Sequence, residues 1–377
     1  MLERAHLREQ IEKSFKVTPI VAILGPRQCG KTTAAKMIAN SGQTHYFDLD
    51  SAVSLSRLED PEYALGSLTG LVTIDEIQKR PDLFSSLRYL VDHKPNQQYL
   101  ILGSASRDLI QQSAESLAGR ITYLELTPFL LSETHQLDRT WLRGGFPRSF
   151  LAETDEYSDL WRQSYIRTYL EQDLPNLGIR VPAQQLQRFW MMLAHNHANI
   201  LNASNLGRSL GVSHSTIRHY IDILSGTFMV RELKPWHENI SKRQVKSPKI
   251  YFRDSGILHS LLGIKTQHAL NTHPMLGASW EGFALEQVIH SLGARNEDCY
   301  FWATHADAEL DLLIMKDGKR YGFEFKMTSA PKVTRSMKTA INDLKLDQLT
   351  IVTPSSEKFS LSPMIDVMRL EEFVLNR

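Results

Sequence analysis

Cysteine is scarce: the 377 residues hold two, Cys29 and Cys299. Two thiols make neither a disulfide framework nor a Cys-rich zinc site. No apolar run approaches the roughly 20 residues that a membrane-spanning helix needs. The N-terminus, MLERAHLREQIEKSF, is charged throughout and lacks the apolar core of a signal peptide. Internal repeats and low-complexity tracts are absent, and net charge is almost absent too, at +1. With 42% apolar and 23% charged residues the composition is that of an ordinary globular chain. Its length implies two or three domains, each large enough for its own core. A cytoplasmic enzyme or regulator, with no membrane partner, is the class that remains.

The near-zero charge conceals a local imbalance. Residues 200–253 carry nine Lys or Arg against Asp222, Glu232 and Glu238, a segment charge of +6 that the rest of the chain offsets with −5. A basic block in a neutral chain is what a nucleic-acid contact leaves behind, and equally what a docking face for an acidic partner leaves.

The first 130 residues alternate strand-like runs (19–24, 44–50, 71–77, 98–104, 121–127) with helical patterns (31–40, 81–93, 106–119). Strands separated by helices predict an α/β fold with a parallel sheet covered on both faces. Residues 131–200 read as a helical lid or linker, 201–270 as a helix-turn-helix with extended segments, and 271–377 as a second α/β region.

Chemistry concentrates first at Gly25-Pro26-Arg27-Gln28-Cys29-Gly30-Lys31-Thr32-Thr33. The run matches G-x-x-x-x-G-K-[ST] and lies after a strand and before a helix. Two glycines let the chain curl so that backbone N–H groups face phosphate oxygens, and the helix N-terminus adds positive potential. Lys31 would reach the β- and γ-phosphates of ATP, and the Thr32 hydroxyl would ligate Mg2+. LVTIDEI ends a strand on Asp75 and Glu76, where ligands bind in open α/β sheets. Asp75 is the candidate for the Mg2+ shell and Glu76 for orienting the attacking water. Ser104, at the end of a third strand, is either a γ-phosphate sensor or a helix cap. Arg120 is either an arginine finger acting on a neighbouring subunit of a homo-oligomer or a surface ion pair. Arg27 is a further candidate for phosphate or a neighbouring subunit.

Residues 202–226 have the spacing of a helix-turn-helix, with Gly211 at the turn and Ser213 as N-cap of the second helix. That leaves His214, Ser215, Thr216, Arg218 and His219 outward on the presumed recognition helix. MVRELKPW and SPKIYFRD would pair as a β-wing carrying Lys242, Arg243, Lys246 and Lys249. Six neutralised phosphates would give a log–log salt slope of about −5 for DNA binding. The alternative is a winged helix used for packing.

In the last third, ELDLLIMKDGKRYGFEFKM reads as a hairpin turning at Asp317-Gly318. Residues two apart on a strand share a face, so Glu324 and Lys326 point the same way. Asp311 on the paired strand and Glu281 on the preceding helix are placed to join them. Carboxylates with a lysine would bind Mg2+, Asp311 and Glu324 foremost, and support phosphodiester cleavage. Alternating charges on a half-exposed strand give the same pattern without function.

Taken together, GPRQCGKTT (25–33), TIDEIQ (73–78), GSAS (103–106), SLAGRI (116–121), GGFP (144–147), SPKIYFRDSG (247–256), WEGFALEQVI (280–289), AELDLLI (308–314) and FEFKM (323–327) resemble a widespread bacterial and archaeal family of AAA+-type ATPases. Such proteins join a P-loop ATPase to a winged helix and a C-terminal domain related to PD-(D/E)XK nucleases. The resemblance implies an ATPase site at Lys31, Thr32, Asp75 and Glu76 and a nuclease-type site at Glu281, Asp311, Glu324 and Lys326. Cys29 stands where the family usually has an aliphatic residue, and Leu102 where a Thr is frequent; neither removes a catalytic group. The expected function is an Mg·ATP hydrolase that acts on, or is regulated by, duplex or branched DNA. The alternatives are a nucleotide-dependent switch that binds a protein, and a metal-dependent DNA nuclease licensed by ATP.

Overall fold

The computed structural model describes residues 2, 4–39, 43–104, 113, 115–176, 181–306 and 308–376. The chain divides into two compact units, residues 1–128 with 226–228 and residues 129–225 with 229–377.

The first unit is built on five parallel strands: β1 (Ile20–Gly25), β2 (Thr44–Asp48), β3 (Leu71–Asp75), β4 (Gln98–Ser104) and β5 (Ile121–Glu125). Their order is β2-β3-β4-β1-β5, so β4 stands between the strand that enters the glycine loop and the strand that ends on Asp75. Every residue of β1 is buried, as a continuous apolar run at the centre of a parallel sheet requires. Helices α1 (Ala5–Phe15), α2 (Lys31–Ala39) and α3 (Leu83–His93) accompany the sheet. On α3, Leu83, Phe84, Leu87, Leu90 and Val91 recur at helical spacing and are buried. They pack with Phe47, Ile74 and Ile101 in one core. Most of the helix expected over 106–119 lies outside the described residues.

The second unit opens with helices, among them α4 (Asp155–Thr168) and α5 (Ala183–His195), followed by α6 (Ala203–Leu210) and α7 (His214–Gly226). Gly211 ends α6 with φ +71°, and the Ser213 hydroxyl accepts the Thr216 N–H at 3.1 Å to cap α7. The short strand β6 (Asn199–Ile200) precedes α6, and β7 (Val230–Pro235) and β8 (Lys249–Phe252) follow α7, antiparallel from Val230↔Phe252 to Leu233↔Lys249. Next come α8 (Leu276–Ser291), β9 (Cys299–Ala303), β10 (Glu309–Lys316), β11 (Lys319–Phe325), α9 (Arg335–Leu344) and β12 (Gln348–Thr353). The chain finishes with β13 (Phe359–Ser362), β14 (Ile365–Arg369) and α10 (Leu370–Leu375), which the sequence reading did not anticipate. Asp317 and Gly318 both have positive φ, the backbone that closes a two-residue β10–β11 hairpin.

The extended segments of 230–252 do not form a separate module. β7 pairs in parallel with β9 at Lys234↔Tyr300 and Pro235↔Phe301, giving one nine-stranded sheet in the order β13-β14-β12-β11-β10-β9-β7-β8-β6. On one face α8 packs Trp280, Phe283 and Val288 against Phe301, Leu312 and Ile314. On the other, α9 packs Met337, Ala340 and Leu344 against Trp302, Leu310 and Leu313.

Candidate functional site

The loop from Gly25 to Thr32 is curled by its own sequence. Gly25 runs so close to the end of β5 that a Cβ there would lie 2.2 Å from the Leu126 carbonyl oxygen. Gln28 and Gly30 take positive φ, and α2 starts at Lys31. The Lys31 ammonium is 8% exposed and donates to the carbonyl oxygens of Gly25 and Pro26, both at 2.9 Å. Cys29 is fully buried, its thiol pushed up in pKa by that burial and directed at the Leu126 carbonyl at 3.4 Å. Its side chain thus faces the sheet, and only its backbone borders the loop. Arg27 and Thr33 are exposed. Arg4, ahead of α1, donates to the Cys29 carbonyl at 3.4 Å and to that of Thr127 at 2.9 Å, a support the sequence pattern gave no reason to expect.

Asp75 is brought beside this loop by β3. Its Oδ2 accepts the Thr32 hydroxyl at 2.6 Å and the Tyr46 phenol at 2.6 Å, while Oδ1 accepts the Glu76 N–H at 2.9 Å. Glu76 sits in left-handed backbone at φ +57°, and its carboxylate is hydrogen-bonded by Gln78. A hydroxyl and a carboxylate beside a glycine loop fit Mg2+, which takes few protein ligands and completes its shell with phosphate and water. Among the described residues no three His, Cys, Asp or Glu side chains are grouped so as to hold a metal ion.

Ser104 pairs in backbone register with Gly25, which sets β4 beside the loop; its side chain lies outside the described residues. The Arg120 guanidinium makes two hydrogen bonds to Asp92, at 2.7 and 3.0 Å, so in this chain it forms the ion pair that was one of its two readings.

The basic block is the main departure from expectation. Arg231 and Arg253 are buried against Glu286, Arg218 pairs with Glu232 at 2.6 Å and Lys242 with Asp343 at 2.6 Å. The segment joining β7 to β8 is no free wing but a strap against β9: Trp236 N donates to Phe301 O at 2.7 Å and Val245 N to Ala303 O at 3.0 Å. Arg208, Lys234, Arg243 and Lys246 remain exposed, as do His214, Ser215 and His219 on α7, with Thr216 half-buried. A contact through six cations, and the salt slope of about −5 drawn from it, therefore needs correction, because most of these charges already face carboxylates.

Lys249, expected on the wing, is 4% exposed and belongs to the C-terminal cluster. Its ammonium lies 3.2 Å from Glu281 Oε1 and also against Glu309. The Tyr251 phenol, two residues along β8, donates to the same Glu281 oxygen at 2.6 Å. Lys326 lies 2.7 Å from Glu324 Oε2 and 3.4 Å from Asp311 Oδ2, which also accepts the Phe325 N–H at 3.0 Å. A register shift between Leu310 and Leu313 in the β9–β10 pairing falls beside Asp311, as bulges do where a side chain is re-aimed. Burial, then the Asp311 charge, pushes the Glu281 carboxyl up to about 7 and that of Glu324 up to about 8. Glu281, Asp311, Glu324 and Lys326 are thus assembled as the sequence placed them, with Lys326 paired to Asp311 and Glu324, the carboxylates proposed for metal, and Lys249 paired to Glu281.

Two of the resembling motifs meet away from either cluster. The Asp254 carboxylate accepts the N–H groups of Gly145 at 2.8 Å and Ile257 at 2.9 Å. Gly144 has φ +73°, and a Cβ on it would sit 2.2 Å from Asp254 Oδ1. GGFP and FRDSG are two halves of one packing contact.

Residues 17–135 match the AAA domain family, and residues 134–268 and 276–373 match two domains of unknown function, DUF8612 and DUF4143. The AAA match and the parallel sheet make the first unit an AAA-type P-loop domain, a family that implies nucleotide binding. The uncharacterized proteins Rv2008c of Mycobacterium tuberculosis and Mb2031c of Mycobacterium bovis are each 46% identical over 368 residues, covering 97% of this chain and 83% of theirs. Among solved structures, the Walker-type ATPase PabY2304 of Pyrococcus abyssi is similar at a TM-score of 0.48 and 13% identity, over 70% of this chain and 96% of that one. A RuvB variant of Thermotoga maritima reaches 0.31 at 16% identity, over 61% and 90%. No helix among the described residues is long and apolar enough to cross a membrane.

Proposed function

The chain belongs to the same family as the mycobacterial proteins Rv2008c and Mb2031c, and from that premise we propose that it binds ATP with Mg2+ and hydrolyses it, in work that acts on DNA or answers to it. The observation that carries the ATPase reading is the 2.6 Å hydrogen bond between Thr32 and Asp75, 43 residues apart, beside a loop whose lysine is turned inward. Loop N–H groups cradle the phosphates, and Lys31 exchanges its two carbonyl acceptors for phosphate oxygens. Thr32 and Asp75 hold Mg2+, which when bound offsets phosphate charge. Glu76, released from Gln78, orients water and takes its proton. Ser104 senses the γ-phosphate. Arg120, released from Asp92, serves a neighbouring subunit in a homo-oligomer. The exposed start of α7 with Arg243 and Lys246 is the DNA-facing surface.

Steady-state ATP turnover with and without single-stranded, duplex and branched DNA tests this, with Lys31→Ala as the blank. Glu76→Gln should keep nucleotide binding and lose about 10²–10⁴-fold in turnover. Turnover that Lys31→Ala leaves intact would remove the ATPase reading. Turnover indifferent to every DNA form would remove the DNA and leave a nucleotide-dependent switch for a protein partner. If DNA binds through the four exposed cations, its salt slope should be no steeper than about −4.

A second reading, a metal-dependent nuclease licensed by ATP, is favoured by the gathering of Glu281, Asp311, Glu324 and Lys326. Cleavage that needs Mg2+ and vanishes in Lys326→Ala would support the nuclease, and its loss in Lys31→Ala as well would show that ATP licenses it.

A further inference from the structure

We propose that Tyr46 is a positioning residue for Asp75 and thereby sets how much Mg2+ the nucleotide site requires. The inference rests on the ATPase reading above. β2 pairs in parallel with β3, Tyr46 opposite Thr73 and Asp48 opposite Asp75, so the tyrosine stands one pleat before the metal carboxylate on the neighbouring strand. Its phenol donates to Asp75 Oδ2 at 2.6 Å, the oxygen that also accepts Thr32. With Glu76 N–H on Oδ1, three donors fix the carboxylate's rotation. The ring also lies under Lys36, one turn beyond Thr32 on α2, whose ammonium is 5.1 Å from the ring centroid. Tyr46 is thus held by the helix that begins at Lys31 and holds the carboxylate that faces it. A phenol carries its proton at neutral pH, so Tyr46 is a donor to the carboxylate. Outer partners of this kind orient a metal ligand, and their loss typically lowers metal affinity about 10- to 100-fold.

The test is the affinity of the full chain for a fluorescent ATP analogue, titrated across Mg2+ concentrations and in EDTA. Tyr46→Phe should need about 10-fold more Mg2+ to reach the same affinity, with the EDTA value unchanged. In an Asp75→Asn background the same substitution should add nothing. Superimposable Mg2+ curves for wild type and Tyr46→Phe would overturn the role, and so would an equal shift in EDTA. A wild type whose nucleotide affinity ignores Mg2+ would overturn this inference alone, whereas one that binds no nucleotide with or without Mg2+ would overturn the ATPase reading and this inference with it, outcomes visible before any variant is made. Should Tyr46→Phe fail to fold, Lys36→Met unseats the ring without touching Asp75. It should shift the Mg2+ curve the same way by a smaller factor, and no shift would reject the proposal.

Discussion

The nucleotide loop and the C-terminal cluster both bury lysine beside oxygen, and they do it in opposite ways. Lys31 donates to two main-chain carbonyls, neutral acceptors that a phosphate oxygen outbids. Lys249 and Lys326 face carboxyl groups, with Tyr251 and the Phe325 N–H filling further acceptor positions. Separating such a pair in a desolvated site leaves an uncompensated charge and is strongly unfavourable. The first arrangement is poised to exchange partners; the second has its partners already. A lysine among oxygens is thus a ligand site only when the oxygens are weakly held, which burial alone does not reveal.

The comparison breaks most sharply at Lys249. Lys249→Met should destabilise the second unit by up to about 3–5 kcal/mol at pH 8 and above, where Glu281 is ionised and left without its cation, and by less at pH 6, where Glu281 takes a proton; urea unfolding followed at that unit's tryptophans would read it. A loss below about 1 kcal/mol at pH 8 would mean that solvent or a bound cation, not Lys249, balances Glu281.

Titration gives the next effect. An acid whose folded pKa is raised holds more protons in the native state than in the unfolded chain, so the stability it contributes falls as pH rises. For Glu324, raised to about 8 by burial and the Asp311 charge, the window runs from its ordinary value of 4.5 to about 8. Stability should drop across that window by at most about 1.4 kcal/mol per pH unit for this one group, and Glu324→Gln should flatten the slope in thermal melts from pH 5 to 8. A slope unchanged in Glu324→Gln would place the titration elsewhere.

The smallest effect completes the contrast. Lys31→Met should abolish nucleotide binding yet cost less than about 1.5 kcal/mol of stability, since it forfeits hydrogen bonds to neutral carbonyls and strands no opposite charge. A loss as large as that of Lys249→Met would erase the distinction between the two sites.

How much of this was legible depended on sequence distance. Residues 25–33 carry their geometry locally, strand to loop to helix, so the loop was read directly and Asp75 followed from its place at a strand end. Tyr46 was invisible, because its approach to Asp75 is a fact of β2–β3 pairing. Lys249 was misread for a similar reason: within a basic run it looked solvated, while its partners Glu281 and Glu309 lie 32 and 60 residues on. A signal did exist, since Lys249 and Tyr251 share a strand face with Ser247 and Arg253 and no acidic residue to pair with the ammonium. The merging of β7 with β9 rests on two residue pairs, too little to leave any periodicity. β13 is short, half polar and at the sheet edge, so it leaves no strand signal in the sequence.

The β7–β9 junction carries a practical consequence for anyone who would dissect the chain. A cut near residue 270, where composition invites one, would send Lys249 away with one fragment and Glu281 with the other, and would expose the flank of β9 as an open edge ready to pair with foreign strands. The smallest piece to express by itself is the whole of residues 129–377; anything shorter should be collected from inclusion bodies.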